Sequence, residues 1–566
     1  MDKNELRRQA REEAKWFLEN EQEYRMGYIE AELPHPLTRR LSQTCAASME
    51  DGVRLLLSVD AEMAERAAEA LASPEYARFA ETLRETVRQG HRVVFSGCGS
   101  SGRLSMRLEQ SWRRAIEKLS ARYPQAKDAL QAKLESVANI MTGGDYAVIR
   151  AVESFEDSPA LGREQTRQWK LGAGDMLVGV TATGETTSIL GTAVQALEDG
   201  AMVYMLICAD PTRLLDKMAR ARAVYNHPGC RWLTLPCGPM ALTGSTRMQS
   251  STFEQLAGAA ALDGALDDIL RSCGVEVQTP EYGWYGRQFA ELTRLLMAEP
   301  SVNAIAEAAR LEKETYEAGG LVTIYAEEFL LDVLTDTTER APTFMTPPFC
   351  PEGMRQAEQS WAFVKNPSCD TVTAWERCFS RQPRCIEWEP DVYRKLGFTE
   401  KQVERINPIG VNALRRFLIG NEPMPRREGP KARAMWVDAA AAPESFSLHA
   451  ARYGSQNQLT LEMLDVRPTE TAMDIYEHLG VKLMLNTLST AVMAGMGRVH
   501  GNWMTSLAMS NKKLVDRSAR IVSDVCGIPY ERALEENFYS KAMIEGKNLH
   551  RSPVQETIGR LQKEGE

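Results

Sequence analysis

The stretch His91–Trp112, HRVVFSGCGSSGRLSMRLEQSW, restricts what this chain can fold into more than any other. Arg92–Ser96 is short, β-branched and apolar, the composition of a strand buried on both faces. Gly97, Gly99 and Gly102 then bracket two hydroxyls, Ser100 and Ser101, and Leu104, Leu108, Trp112, Ile116 and Leu119 recur at helical spacing. Strand, glycine loop and helix start in that order bring free N–H groups and a helix dipole to one point, which suits an anion. Three readings fit: a sugar-phosphate cradle, a dinucleotide fold (the spacing is a literal GxGxxG), and a turn that only tightens a strand–helix joint. The dinucleotide fold wants an acidic residue about 20 residues further on, at the end of a second strand. Here the helix still runs at that distance, ending near Tyr123, and the next strand candidate is Ser136–Met141.

From Arg92 onward the pattern alternates. Arg92–Ser96, Ser136–Met141, Asp175–Ala182, Ala201–Cys208 and Trp232–Leu235 read as strands. Arg103–Arg122, Thr186–Glu198 and Pro211–Arg222 read as helices between them. Such alternation predicts an α/β, doubly wound parallel sheet with ligands at the carboxyl ends of its strands. Two more loops after strands carry hydroxyls: Thr181–Ser188, with Thr183, Gly184 and Thr186, and Leu242–Met248, with Ser245, Thr246 and Arg247. Hydroxyls and a guanidinium beside helix starts suit an oxyanion, although plain N-capping by Thr183 or Thr186 accounts for the second loop equally well. Between the first two loops, Gly143-Gly144 predicts a turn and Tyr146–Phe155 a short helix with Glu153 and Glu156 on one face. Those carboxylates would accept sugar hydroxyls or act as a general base; the alternative is a solvated acidic face.

At 566 residues the chain exceeds one core, so two domains plus extra helices are expected. The expected division is a helical arm (1–45), a first sugar-phosphate-binding domain (46–262), a second domain (285–470) and a helical C-terminal region (471–566). In the second domain Gly319–Ala326, Arg384–Glu387 and Ala434–Asp438 read as strands. A net charge of −10 argues against nonspecific nucleic-acid or anionic-membrane binding. No apolar run approaches a membrane span, and the start is a charged amphipathic helix. Eleven cysteines without a CxxC pair suit reduced thiols in the cytoplasm, and seven histidines lack ligand spacing. No metal and no cofactor is expected.

Taken together, HPLTRRL (35–41), GCGSSGRL (97–104), TATGET (181–186), TGGDYAVIRAVESFED (142–157), LTGSTRM (242–248), KLMLNTLSTAVMAGMGRVHGNWM (482–504) and SNKKLVDRSARIV (510–522) resemble the sugar isomerase (SIS) domain family. More narrowly they resemble the group of N-acetylmuramic acid 6-phosphate etherase and the glucokinase regulatory protein. The resemblance implies two SIS-type, flavodoxin-like domains, the second a degenerate, non-binding copy, with helical additions at both ends. About 220 residues separate LTGSTRM from KLMLNTLST, where the etherase runs straight on. The implied ligand is a phosphorylated hexose or amino sugar on Gly99, Ser100, Ser101, Glu153, Thr183, Gly184, Thr186, Ser245, Thr246 and Arg247, with Lys482 reaching it from the tail. Of the etherase's two essential glutamates, one falls on Glu156 and the general acid falls on Ser111, so the acid is lost; Glu109 lies two residues away on another face of the helix. Glu185 and Gln249 stand where the etherase has cations. The resemblance thus implies a regulatory or weakly catalytic protein, with a sugar kinase as candidate partner, monomeric with an internal pseudo-dimer. The alternatives are an etherase releasing D-lactate and a phosphosugar isomerase.

Overall fold

The computed structural model describes residues 3–152, 154–354, 356–406, 408–439, 446–452, 458–461, 471–546 and 551–565. Five strands form the first sheet: β1 (Val93–Gly97), β2 (Val137–Met141), β3 (Met176–Val180), β4 (Met202–Ile207) and β5 (Cys230–Thr234). Their order is β2-β1-β3-β4-β5 and every pairing is parallel, the doubly wound order expected of alternating strands and helices. β1, β2 and β3 are buried along their whole length, which is why they read as continuous apolar runs. The glycine-loop helix Gly99–Arg122 packs between this sheet and the second half of the chain, so it buries Arg103, Arg107, Glu109, Gln110 and Arg113 as well as its leucines.

The second sheet comprises β6 (Val322–Tyr325), β7 (Ala362–Lys365), β8 (Arg433–Ala439), β9 (Phe446–Arg452) and β10 (Gln458–Leu461) in the order β10-β9-β8-β6-β7. β7, β6 and β8 are parallel, and β9 and β10 extend the sheet antiparallel. The α/β class with two sheets is therefore as the sequence predicts, with β7, β9 and β10 as strands that its periodicity did not reveal.

Three local expectations are corrected. Arg384–Glu387 is extended but joins no strand of the second sheet. It crosses to the first-sheet region, where Asp145 N donates to the Arg384 carbonyl (3.0 Å) and Gly144 bridges Cys385. The short helix predicted over Tyr146–Phe155 is a single 3₁₀ turn, Asp145–Val148, and Ser154 adopts φ 67°. The helix predicted over Pro211–Arg222 is broken at Met218 into Pro211–Lys217 and Ala219–Tyr225.

Buried ion pairs join the two sheet regions. Arg107 pairs with Asp332 (3.2 Å), Arg247 with Asp336 (2.9 Å), and Arg381 with both Glu109 (3.2 Å) and Asp145 (2.5 Å). The C-terminal helices Ile475–Gly495 and Lys512–Cys526 lie against this junction and the N-terminal arm. Among the described residues, no helix is long and apolar enough to cross a membrane.

Candidate functional site

Three loops meet at the carboxyl ends of the first sheet's strands. After β1 the chain turns at Gly99, whose φ of 56° is left-handed, and a Cβ there would meet nothing within 4 Å. The helix therefore starts beneath open space. Ser100 Oγ lies 3.2 Å from Thr246 Oγ1, which ties the first loop to the third. Ser101 Oγ instead turns inward and donates to Glu254 Oε2 at 3.4 Å. Glu254 is wholly buried, and burial raises its pKa well above the ordinary carboxylate range.

The second loop holds Thr181 Oγ1 and Thr186 Oγ1 2.9 Å apart. Thr186 occupies the N-cap position of helix Thr187–Glu198 yet makes no side-chain capping bond, so its hydroxyl does not perform the plain capping role. Thr187 Oγ1 is buried without a hydrogen-bond partner. Gly184 (φ 74°) lies so close to Leu214 that a Cβ would come within 2.7 Å of it. Glu185 is neutralised locally: it accepts from Thr183 Oγ1 (3.1 Å) and from Arg220 (2.7 Å).

In the third loop Ser245 and Arg247 are buried. The Arg247 guanidinium points to the junction between the sheets, donating to Asp336, Asn486, Ser489 and Thr490. Lys482 donates to the Arg247 carbonyl (2.7 Å) and Thr252 Oγ1 (2.6 Å). Burial lowers its pKa strongly, and burial raises that of Asp60, the carboxylate coupled to it. Gln249 Nε2 donates to Asp60 (2.8 Å) and accounts for the uncharged residue there. Ser100, Arg103, Arg107, Arg247, Asp336 and Lys482 line a cavity of about 30 Å³, room for a water or two.

Glu156 sits at the N-terminus of helix Lys512–Cys526. Lys513 Nζ donates to Oε1 (2.6 Å) and Asn511 Nδ2 to Oε2 (3.3 Å). Burial pushes the Glu156 pKa up, but the charge and hydrogen bond of Lys513 outweigh it and hold the group below its ordinary value. Its neighbour Asp157 is raised to about 6 by burial and by Glu156. Ser188 N donates to the Glu156 carbonyl (3.0 Å), while Ser188 Oγ meets Thr142 Oγ1 (3.0 Å), so this segment is bound to the second loop. Glu153 lies outside the described residues. Ser111 lies about 18 Å along its helix from Gly99 at 1.5 Å per residue. Its hydroxyl accepts from Arg107 Nε (3.2 Å) and Nη2 (3.0 Å). Glu109 faces Arg113, Arg381 and Arg384, away from Ser111.

Sequence reasoning missed Lys513, Asn511 and Asp157. A usable signal was present: Asn511 caps the helix, and two lysines then occupy its first turn against the dipole. Cations placed there imply anionic partners, which are Glu21 for Lys512 (2.8 Å) and Glu156 for Lys513.

Residues 75–197 match the family described as glucokinase regulatory protein N-terminal SIS domain. The chain is similar to an N-acetylmuramic acid 6-phosphate etherase of Staphylococcus saprophyticus, 29% identical over 32% of this chain and 54% of the relative. It is also similar to one of Photorhabdus laumondii, 30% identical over 32% of this chain and 52% of the relative. The chain spans about half the length of these curated relatives. Among solved structures, tagatose-6-phosphate ketose/aldose isomerase of Escherichia coli aligns with 9% identity, a TM-score of 0.33, and coverage of 60% of this chain and 70% of that one.

Proposed function

We propose that this chain, an SIS protein related to the etherases and to the glucokinase regulatory protein, binds a phosphorylated hexose or amino sugar at the three loops of its first sheet, as a regulator-like protein of little or no lyase activity. The observation that carries this reading is the convergence of Ser100 with Thr246 and of Thr181 with Thr186 at the ends of parallel strands. Open space over Gly99 and the unpartnered Thr187 hydroxyl support it. Phosphate oxygens would take hydrogen bonds from these hydroxyls and from the N–H groups at both helix starts. Glu156, held as a carboxylate by Lys513, would accept a sugar hydroxyl.

Lactate departs poorly as an alkoxide, and a serine hydroxyl cannot replace a carboxylic acid as proton donor. General acid assistance contributes about 10²–10⁴-fold in rate, so lactate release should fall at least that far below that of an acid-equipped etherase. Calorimetry with N-acetylmuramate 6-phosphate and glucose 6-phosphate, beside an assay for released lactate, tests both halves. Turnover at the rate of a competent etherase would favour the lyase reading, with another residue as acid.

The finer organisation belongs to the same proposal: an arm (1–45), a binding domain (46–262), a second domain (285–470) and a helical region (471–566) in a monomeric, cytoplasmic protein. The second domain takes the place of a partner subunit, as the buried pairs Arg107–Asp332 and Arg247–Asp336 suggest. Sedimentation as a stable dimer at micromolar concentration would count against this. A sugar kinase is the partner to seek, by co-sedimentation with and without sugar phosphate.

A further inference from the structure

Among the described residues the second sheet has no GxGSS or SGxT loop, and the hydroxyls that follow β7 (Ser368, Thr371, Thr373) donate to Glu327, Glu422 and Asp370, yet the sheet carries a cavity of about 150 Å³ where β6 and β7 end. Tyr325 and Lys365 are the last residues of those strands, and both line it. Thr323, two residues before Tyr325 and so on the same face of β6, lines it too. The loop Asn421–Met424 forms the rim, with Asn421 and Pro423 exposed to solvent.

Lys365 is the unusual member. Its side chain is only 5% exposed, and among the described residues no carboxylate lies within ion-pair distance. Among the described residues its ammonium donates to one acceptor, the Glu422 carbonyl, which leaves two of its three protons without an acceptor there. The Glu422 and Glu428 carboxylates, which also line the cavity, act on it only through space: Glu422 accepts from Thr371 N (2.6 Å) and Thr371 Oγ1 (2.7 Å), and Glu428 Oε1 accepts from Met424 N (3.3 Å). Arg427 below the cavity is different. It spends its donors on Thr323 Oγ1 and on the carbonyls of Val322, Ser360 and Trp361, which fixes the floor and leaves the Thr323 proton free to point outward. Lys365 and the Thr323 and Tyr325 hydroxyls therefore present donors to one space, at the strand ends where doubly wound sheets take ligands.

We propose that this cavity is a second ligand site, taking a small oxyanion of phosphate size on Lys365, with Thr323 and Tyr325 as neutral donors. A buried ammonium with spare protons is satisfied by such a ligand, and 150 Å³ admits one while excluding a hexose phosphate bound whole. The second domain would then be a copy with altered chemistry rather than an empty one. The proposal does not depend on the function assigned to the first sheet.

Met424 lines the cavity and supplies the probe. The full chain, labelled with ¹³C at methionine methyls, is titrated with inorganic phosphate, the Met424 signal being assigned through Met424→Leu. Saturable movement of that signal, with apparent affinity reduced about ten-fold or more in Lys365→Met, is the expected result. Lactate and acetate titrated in parallel separate a phosphate site from a general carboxylate site; carboxylates alone moving the signal would overturn the phosphate-sized assignment. A Met424 signal that stays fixed while phosphate shifts other methionines overturns the site altogether. Should Lys365→Met fail to fold, Thr323→Val serves in its place and the wild-type titration still decides.

Discussion

The two sheets share a plan and differ at their strand ends. In the first, every strand is parallel, and the loops after β1, β3 and β5 supply hydroxyls and glycines but no cation of their own aimed at the space between them. In the second, three parallel strands continue into an antiparallel pair, and a buried lysine stands at a strand end whose following hydroxyls, Ser368, Thr371 and Thr373, are taken by carboxylates. The contrast teaches where charge comes from in this fold. A parallel sheet provides backbone donors and helix starts cheaply, whereas a cation must be carried in by an element held in place independently. For the first sheet that element is the C-terminal helix Lys512–Cys526, which places Lys513 on Glu156. The second sheet's debt to the first is mechanical: Arg381 and Arg384 leave their own layer to bind Glu109 and Asp145.

Breaking that mechanical link should have the largest effect. Arg381 is 7% exposed and bridges two buried carboxylates, Glu109 at 1% and Asp145 at 3%. Arg381→Met leaves Asp145 without its guanidinium, Glu109 keeping Arg113 and Arg384, and removing one partner of a buried pair typically costs about 3–5 kcal/mol. Urea unfolding should show the loss, with sugar-phosphate binding weakened because Asp145 precedes the Glu156 segment. Unchanged unfolding would mean that the sheets are independent, and the comparison drawn above would fail.

The second test concerns how the cation-bearing helix is anchored. Glu32 of the arm is wholly buried between Arg517 (2.9 Å) and Arg520 (2.7 Å). Burial pushes its pKa up, but the two guanidinium groups outweigh this and bring it from 4.5 to about 2. A depressed carboxylate contributes stability above its unfolded pKa and loses it as pH falls through the folded one, here between 4.5 and about 2. The shift corresponds to about 3 kcal/mol at 1.36 kcal/mol per unit. Glu32→Gln should flatten the pH dependence in that window by the Glu32 share, measured as thermal midpoint against pH. Retention of the full acid limb would locate the anchor elsewhere.

A third, smaller effect isolates the hydroxyl loops. Thr186→Ala removes the partner of Thr181 and a proposed phosphate donor. Sugar-phosphate affinity should fall about ten-fold, or 1.4 kcal/mol. Calorimetry giving the wild-type constant would remove the second loop from the site.

Much of this was legible from residues. Periodicity located all five strands of the first sheet, most plainly β1, β2 and β3, which are buried on both faces and so apolar nearly throughout, whereas β5 exposes Arg231 and Trp232. The three loops were legible because glycine and hydroxyl clusters after such strands have few structural uses. Side-chain direction was not. Arg247 lies in the third loop and Ser111 on helix Gly99–Arg122, at positions that, read in isolation, face outward but are covered by the second half of the chain. There Asp336 and the Arg107–Asp332 pair take them up. Arg384–Glu387 failed as a strand for a related reason: its extended backbone found partners in Gly144 and Asp145, more than two hundred residues earlier. Local pattern reports that a segment is extended, never which edge it will join.

The smallest expected effect is also the most pointed. Lys513 and Glu156 are each partly exposed, 20% and 33%, so solvent screens the pair and Lys513→Met should cost only about 1 kcal/mol. Its consequence for charge is larger than for stability. Glu156 keeps its pKa below the ordinary value because Lys513, with a smaller contribution from Arg517, outweighs burial, and the neighbouring Asp157 is already raised to about 6. Removing the ammonium leaves burial, which favours the protonated acid, against the smaller opposing charge of Arg517. Glu156 should then titrate above its ordinary value rather than below it. The wild-type pair contributes stability above the unfolded glutamate pKa that is lost as pH falls through the folded one; in Lys513→Met that acid limb should vanish or reverse. Sugar-phosphate binding should acquire a dependence on pH as Glu156 protonates, because a protonated Glu156 no longer accepts from a sugar hydroxyl with full charge. Lys513→Arg, which restores the cation, should return both profiles toward wild type. If binding in Lys513→Met is as strong and as independent of pH as before, Glu156 does not touch the ligand, and the cation carried in by the C-terminal helix serves only to pin the segment after β2.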